Sequence, residues 1–183
     1  DGHNERHALA STGPCHIVHP SDPAHALVAL DASVLVAGPR GERTIPMADF
    51  LHMPRQEAWS ETALALDELI VDVAIPLPAG SARGAYVKAA ERAVWDFALV
   101  SAAAQVTFQG PVVAAARLVL GGVAPVPWRA SDAEEALVGG DLDDAAIARA
   151  AGAATVGLHP LSRNAYKLDL VRGVVAEALR RLR

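Results

Sequence analysis

The 183-residue sequence has few features that would form a disulfide, anchor it in a membrane or bind a nucleic acid. Cys15 is the only cysteine, so an internal disulfide is impossible. No uninterrupted apolar run reaches membrane-spanning length, and no basic segment precedes an apolar one, so we predict neither a membrane anchor nor a signal peptide. The formal net charge of -5 argues against a broad nucleic-acid-binding surface. These absences predict a soluble globular chain without a membrane or nucleic-acid partner.

Lysine is also scarce, since only Lys88 and Lys167 are lysines among the 16 basic residues. Each lysine is therefore a candidate for a specific role. Hydrophobic residues make up 52% of the chain, which is enough for one medium core or two small ones. The chain begins with Asp1 and a polar, histidine-containing lead of about twenty residues, from which we expect further sequence upstream.

The first part of the chain predicts a short helix, a hairpin and a strand. Ser21 is a helix N-cap residue, and Asp22 and Pro23 follow it in the first turn. Residues 33–47 contain two strand-like segments around the turn sequence PRGE, which predicts a β-hairpin. The segment ELIVDVAIP at residues 68–76 alternates in hydrophobicity, which predicts a strand with one strongly apolar face.

A segment rich in proline, glycine and alanine at residues 76–84 is typical of a linker. We expect it to divide the chain into domains at residues 1–79 and 80–183. After it, residues 85–94 are predicted to be extended, and two alternating segments around Gly110 and Pro111 complete a three-stranded antiparallel meander. The core-facing side chains are predicted to be Val100, Ala102, Ala104, Val106 and Phe108 on one strand, and Ala114, Ala116, Leu118 and Leu120 on the next.

Helices are predicted to cover this sheet. The segment SDAE is a capping box, in which Ser131 and Glu134 would satisfy each other's exposed backbone amides. A second helix is predicted to begin near residues 141–144, and a last amphipathic helix to span roughly residues 162–182. The predicted fold class is α+β.

Three sequence features that could indicate a metal site, a hydrolase or a phosphate-binding loop have simpler structural explanations. The histidines and Cys15 near the start are poorly spaced for zinc and contain no paired-cysteine motif, so a solvated lead is favoured. No G-x-S-x-G elbow supports hydrolase chemistry. The segment LGGVAP at residues 120–125 lacks the spacing of a phosphate loop, so a tight strand end explains it better. The five histidines concerned are His3, His7, His16, His19 and His25.

Asp22 and Lys88 each leave two interpretations open. An acidic residue at a helix start complements the helix dipole, and this structural role is favoured on residue chemistry alone. A lysine in an apolar strand commonly extends its ammonium group to the sheet edge. The alternative for both residues is a polar contact with a ligand.

Several consecutive segments resemble the FAD-binding subunit of the molybdenum hydroxylases, a family that includes xanthine dehydrogenase, carbon monoxide dehydrogenase and bacterial aldehyde oxidoreductases. The segments are HPSDPAHALVALDASVLVAGPRGERTIPMADF, ETALALDELIVDVAIP, YVKAAERAVWDFALVSAAAQV, ARLVLGGVAPVPWRASDAEEAL and NAYKLDL, in this order. The resemblance covers nearly the whole chain, and GHNERHAL near the start is most similar to the aldehyde oxidoreductase branch.

The resemblance implies a specific domain arrangement. Residues 1–79 would form the second, C-terminal subdomain of a PCMH-type FAD-binding domain, and residues 80–183 a CO dehydrogenase flavoprotein C-terminal-like domain with a three-stranded antiparallel sheet plus helices. The family's first FAD subdomain, with its glycine-rich loop, is not in this sequence. The segment LASTGPC lies where the second glycine-rich loop would run but departs from a Gly-Gly pattern, so Thr12 and Gly13 are not assigned as contacts.

The resemblance also implies cofactor-binding residues. Asp22 of PSD would hydrogen-bond FAD, Ile70 of ELI would lie against the isoalloxazine, and Lys88 of YVK would reach the polar edge of the flavin and favour negative charge on its reduced form. Arg92 and Asp96 of the R-x-x-W-D-F segment are interpreted as an internal pair that supports the strand turn, and neither is assigned to the site.

The function implied is electron relay. A molybdenum-binding large subunit with the molybdenum cofactor would hydroxylate an aldehyde or a heterocycle, an iron–sulfur small subunit with [2Fe–2S] clusters would pass the electrons on, and FAD would deliver them to an acceptor. The complex would be cytoplasmic, or periplasmic by co-export with a partner subunit. One alternative is an assembly module that docks the flavin subunit without binding FAD by itself. Another is a small-ligand-binding domain unrelated to redox chemistry.

Overall fold

A computed structural model describes residues 2–10, 15–54, 60–78 and 80–183. Thr12 and Gly13 of the segment LASTGPC lie outside the described residues. Within these ranges every helix is too short or too polar to cross a lipid bilayer. The helices are α1 (Asp22–Ala29), α2 (Met47–Phe50), α3 (Ser131–Glu135), α4 (Asp144–Ala153) and α5 (Tyr166–Arg180), and the strands are β1 (Ser33–Gly38), β2 (Gly41–Pro46), β3 (Leu69–Ala74), β4 (Ala82–Ala89), β5 (Val100–Gln109), β6 (Val112–Gly121) and β7 (Trp128–Arg129).

The first sheet has the strand order β2-β1-β3 and is antiparallel. The predicted hairpin is confirmed, with Gly38 paired to Gly41 across a turn in which Gly41 has a φ of 102°, a backbone conformation that glycine adopts without strain. The strand predicted from ELIVDVAIP is also confirmed as β3. All six residues of β3 are exposed, so its apolar side chains lie on an uncovered edge strand and do not form one buried face.

The second sheet has the order β4-β5-β6-β7. Its first three strands form the predicted antiparallel meander, and the two-residue strand β7 adds a fourth that the sequence pattern did not indicate. The predicted core face of β5 is confirmed, since its alternate residues from Val100 to Val106 are buried and Phe108 packs against them. The extended segment predicted for residues 85–94 is too long, because β4 ends at Ala89.

A β-bulge changes the predicted face of β6. Thr107 pairs with Ala115 and Phe108 pairs with Val113, so Ala114 has no partner in the ladder. The extra residue reverses the alternation on the Val112 side of the bulge. Val113 is therefore fully buried, whereas Ala114, which was predicted to face the core, is exposed.

The three predicted helices of the second half are present as α3, α4 and α5, but the predicted capping box is wrong. The N-cap of α3 is Ala130, and no side chain caps it. Glu134 Oε1 instead accepts a hydrogen bond of 2.9 Å from Leu118 N in β6, and the same carboxylate pairs with Arg129. A buried carboxylate needs such partners, so Glu134 joins α3 to the sheet.

The two halves of the chain share packing surfaces. Helix α1 lies on the face of the second sheet opposite α5, where Ala103 and Val119 join the buried side chains of α1 and the first sheet. Leu9 and Ala10 pack in the core of the second half, and Leu9 N donates to Val123 O at 2.7 Å. The domain division at residues 79 and 80 stays a prediction.

Candidate functional site

The N-terminus of α1 positions Asp22. Ser21 has an extended backbone, and its hydroxyl oxygen accepts a hydrogen bond of 3.3 Å from Ala24 N, as predicted for an N-cap residue. Asp22 is the first residue of the helix and Pro23 follows it. Both sequence features fix where the helix begins, and so they fix where the Asp22 carboxylate projects.

Strand β4 brings Lys88 to the same place. Lys88 Nζ lies 2.6 Å from Asp22 Oδ2 and donates a second hydrogen bond, also 2.6 Å, to the Asp96 carbonyl oxygen. The Lys88 and Asp22 side chains are 28% and 32% exposed, so the pair faces solvent only in part. The structure therefore joins two of the three residues that the resemblance implied.

The turn after β4 supports this pair. Asp96 Oδ2 accepts a hydrogen bond of 3.0 Å from Arg92 N, and Arg92 Nη2 donates to the Trp95 carbonyl oxygen at 2.6 Å. The prediction of an internal Arg92–Asp96 pair is confirmed. Trp95 has a φ of 54°, which is uncommon for a residue with a Cβ, and its side chain is exposed. These hydrogen bonds within the turn hold the Asp96 carbonyl oxygen in position to accept from Lys88.

A cavity of about 150 Å³ opens beside the ion pair. It lies between the N-terminus of α1, the turn after β4 and the start of α5. Its wall combines three acidic residues, two histidines, an arginine and a lysine with apolar surface. The lining residues include Asp22, His19, His25, Lys167, Phe97 and Leu99.

Lys167 forms the buried floor of this cavity. Its side chain is 1% exposed, and Nζ donates to the carbonyl oxygens of Arg6, His7 and Gly122 at 3.0, 3.0 and 2.8 Å. Burial lowers the pKa of Lys167 to about 8. With all three donor hydrogens occupied, Lys167 ties α5 to the N-terminal segment.

His19 and His25 line the same cavity with rings in an edge-to-face arrangement, 6.0 Å between centroids. Burial lowers the pKa of His25 to about 4 and also lowers the pKa of His19, so the His25 imidazole is neutral at physiological pH. In the part of the chain that the structure describes, no group of three or more His, Cys, Asp or Glu side chains is arranged to hold a metal ion.

Ile70 lies apart from this arrangement. It belongs to β3 in the other sheet, where it pairs with Val36, and its side chain is 50% exposed. Among the described residues that line the cavity, Ile70 does not occur. Its predicted contact with a flavin stays a prediction.

Sequence reasoning did not find Tyr86 and Ser101, and it considered His25 only as a zinc ligand. Both new residues lie on the sheet face that α1 covers. The signal was weak but present, since Ser101 is a hydroxyl residue within a strand of alanine and valine. The rarity of lysine marks Lys167 in the sequence, and the predicted last helix contains it, but neither signal places it at the cavity.

Residues 85–182 match the family described as CO dehydrogenase flavoprotein C-terminal domain, and residues 13–78 match the FAD binding domain in molybdopterin dehydrogenase. The chain belongs to the FAD-binding subunit family of the molybdenum hydroxylases. Within this family it is 38% identical to the aldehyde oxidoreductase FAD-binding subunit PaoB of Escherichia coli (strain K12) over 98% of this chain and 54% of the relative.

Solved structures of two enzymes contain a chain with a similar fold. Quinoline 2-oxidoreductase from Pseudomonas putida 86 is similar with a TM-score of 0.77 and 29% identity, over 96% of this chain and 57% of that one. Carbon monoxide dehydrogenase from Hydrogenophaga pseudoflava is similar with a TM-score of 0.76 and 29% identity, over 88% of this chain and 55% of that one. The chain spans about half the length of the curated relatives that it matches.

Proposed function

We propose that this chain is part of the FAD-binding electron-transfer subunit of a molybdenum-containing hydroxylase that oxidises aldehydes or heterocycles. The observation that carries the proposal is the Asp22–Lys88 pair at the mouth of a cavity, within a chain that belongs to a flavoprotein family. When bound, FAD would accept electrons from iron–sulfur clusters and deliver them to an acceptor. The residues of this chain would bind and orient the flavin.

The Asp22 carboxylate has the hydrogen-bonding capacity for this role. Its Oδ1 atom is buried, so Oδ2 is the oxygen that reaches the exposed side of the pair. A carboxylate oxygen accepts about two hydrogen bonds, and Lys88 supplies one to Oδ2. The remaining position on Oδ2 would accept a hydrogen bond from a flavin hydroxyl.

Lys88 would act through its charge. Its ammonium group has three donor hydrogens, of which Asp22 and the Asp96 carbonyl take two. The third would reach the polar edge of the flavin, where a fixed positive charge favours the negative charge that reduction places on the ring. Ile70 would supply an apolar contact with the isoalloxazine from the exposed strand β3.

The partners in this proposal are a molybdenum-binding large subunit and a [2Fe–2S]-containing small subunit. The names of the relatives support a multi-subunit assembly, since several are medium chains or lettered subunits. We place the complex in the cytoplasm, or in the periplasm by co-export with a partner subunit.

The test is the flavin content of the protein that carries this chain, measured from its visible absorption spectrum and its mass. The proposal predicts FAD at near-equal stoichiometry. Exchange of Asp22→Asn removes the carboxylate charge, keeps the shape, and is expected to weaken FAD retention at least tenfold. Asp169→Asn, an exposed aspartate of α5, is the matched control and is expected to leave retention unchanged. Flavin content that is insensitive to Asp22→Asn would contradict the proposal.

A second candidate function is an assembly module that docks the flavin subunit without binding FAD itself. The uncovered apolar side chains of β3 favour this function, because apolar edge strands commonly lie in interfaces. It predicts a protein without flavin absorption that still co-purifies with its partner subunits. Loss of partner binding on Val71→Asp would support this docking function, and FAD bound at near-equal stoichiometry would contradict it.

A further inference from the structure

Three strands of the second sheet align a row of residues beneath α1. Lys88 of β4 pairs directly with Ser101 of β5, and Ser101 pairs directly with Gly121 of β6. Directly paired residues project to the same face of an antiparallel sheet. Tyr86 lies two positions before Lys88 and therefore projects to this face as well. Lys88, Ser101 and Tyr86 are polar, although Ala103 and Val119 on the same face are buried and apolar.

His25 covers this row from the helix side. A Cβ added to Gly121 would lie 2.6 Å from His25 Cε1 and 2.8 Å from His25 Nδ1, and it would also collide with Ser101 Oγ. The His25 ring and the Ser101 hydroxyl thus approach the same point above Gly121. Ser101 Oγ and His25 Nδ1 are at most about 5 Å apart, a separation that one water molecule spans with two hydrogen bonds.

The polar atoms around this point are buried and need partners. His25 is 1% exposed and Ser101 is fully buried. Asp22 Oδ1, both ring nitrogens of His25, Tyr86 Oη and Ser101 Oγ meet no hydrogen-bond geometry with any residue that the structure describes. Ser101 and Asp22 nevertheless lie close enough to the Tyr86 hydroxyl to act on its pKa, so these side chains form one cluster. An unsatisfied buried polar atom costs free energy, and a cluster of them indicates bound water or an ion.

The donors and acceptors of this cluster are matched to water. Asp22 Oδ1 only accepts, the Tyr86 and Ser101 hydroxyls donate and accept, and the neutral His25 imidazole has one donor and one acceptor nitrogen. Burial raises the pKa of Tyr86 to about 12, so its hydroxyl keeps its proton. A site with both donors and acceptors and one carboxylate suits water, which typically makes about three hydrogen bonds when buried.

We propose that His25, Ser101 and Tyr86 enclose a bound-water site behind Asp22 and act as positioning residues that hold its carboxylate toward the flavin. Lys88 fixes Oδ2 on the open side, and the water-bridged network fixes Oδ1 on the buried side. Gly121 is required because a Cβ there would collide with both the His25 ring and the Ser101 hydroxyl and displace them. This inference rests on the proposed function, since it assigns residues that orient the FAD-binding aspartate.

The test compares FAD release from variants of the flavin-loaded protein that carries this chain. His25→Leu removes both ring nitrogens and is expected to speed FAD release about tenfold, and Ser101→Ala about threefold. His25→Gln restores a donor and an acceptor and is expected to return the release rate to within about twofold of the wild type. In the His25→Leu background, Ser101→Ala is expected to raise the FAD release rate by less than about twofold more, because both residues hold the same water.

The matched control is Val28→Ala, a buried residue of the same helix and the same core without a polar group. It is expected to lower the urea midpoint as His25→Leu does, while FAD release stays within about twofold of the wild type. Equal FAD release for Val28→Ala and His25→Leu at equal stability loss would overturn the inference, because the effect would then be one of packing. A release rate unaffected by His25→Leu would overturn it too.

Asp22→Asn separates this inference from the proposed function. Fast FAD release from Asp22→Asn together with wild-type release from His25→Leu would reject the water site and leave the flavin role of Asp22 intact. Wild-type release from both variants would reject the proposed function as well. Gly121→Ala supplies a further check, since it keeps every polar group but displaces the His25 ring and the Ser101 hydroxyl, and its FAD release rate is expected to match that of His25→Leu.

Discussion

Lys88 Nζ lies 2.6 Å from Asp22 Oδ2, although the two residues are 66 positions apart in the sequence. The pair joins the second sheet to the helix that packs on it, and so it links the two halves of the chain at the mouth of the cavity. Partly exposed ion pairs contribute little to stability. The contact therefore serves the arrangement of charges in the cavity more than it serves the stability of the fold.

Glu134 is expected to stabilise the protein through β6 and not through a helix cap. Glu134→Ala leaves the Leu118 amide and the Arg129 guanidinium without their partner and is expected to cost about 2–3 kcal/mol. Urea unfolding measures this loss. Glu135→Ala, an exposed neighbour, and Ser131→Ala are expected to change stability by less than about 0.5 kcal/mol. If Ser131→Ala lowered the free energy of unfolding by about 1 kcal/mol, the result would contradict this account and support the capping box.

Lys167 is expected to hold the N-terminal segment in place. Lys167→Met keeps the length of the side chain but leaves three carbonyl oxygens without a donor, so we expect a loss of about 3 kcal/mol in the free energy of unfolding. Hydrogen exchange is expected to show faster exchange at the Leu9 and His159 amides. Arg172→Met, an exposed position on the same helix, is the control; equal exchange rates in both variants would contradict this role.

Acid is expected to destabilise the protein through His25. The pKa of its imidazole is about 4 in the folded protein and about 6.5 when unfolded, so the unfolded state binds more protons between these values. Stability therefore falls as the pH falls from about 6.5 to about 4, by up to about 3 kcal/mol from this residue. The charged or titratable groups facing it are His19, Asp22, Tyr86, Lys88 and Lys167.

Urea midpoints measured between pH 7 and pH 4 check the role of His25. His25→Gln removes the titrating group and is expected to flatten the profile in this window. His52→Gln changes an exposed histidine and is expected to leave the profile as in the wild type. The same slope in the His25→Gln and wild-type proteins would show that other groups cause the acid sensitivity.

Local sequence signals predicted the elements whose boundaries depend on local chemistry. Ser21 and Pro23 mark the start of α1, and the PRGE turn sets the hairpin, because capping and turn conformation involve only neighbouring residues. The bulge at Ala114 and the second use of Glu134 depend on contacts with distant strands. No local pattern contains that information, so those features were missed.

In the candidate site, too, the sequence identified some of the residues, whereas their contacts depend on the fold. Asp22 and Lys88 were identified by resemblance, but their ion pair depends on the packing of α1 against β4. His25 looked like one of several histidines in a solvated lead, because burial is a property of the fold. Ser101 and Gly121 interrupt apolar strands, which is a sequence signal, yet only the strand register places them side by side beneath His25.

The midpoint potential of the flavin in the assembled complex tests the central claim most directly. Lys88→Ala removes the positive charge beside the cavity, and we expect the potential to fall by about 30 mV or more, which corresponds to about 1.4 kcal/mol for a two-electron couple. Arg180→Ala removes an exposed charge at the end of α5 and is the control, with no expected shift. A lower potential for Lys88→Ala alone supports the electrostatic role of Lys88. An unchanged potential in an intact, flavin-loaded complex contradicts it.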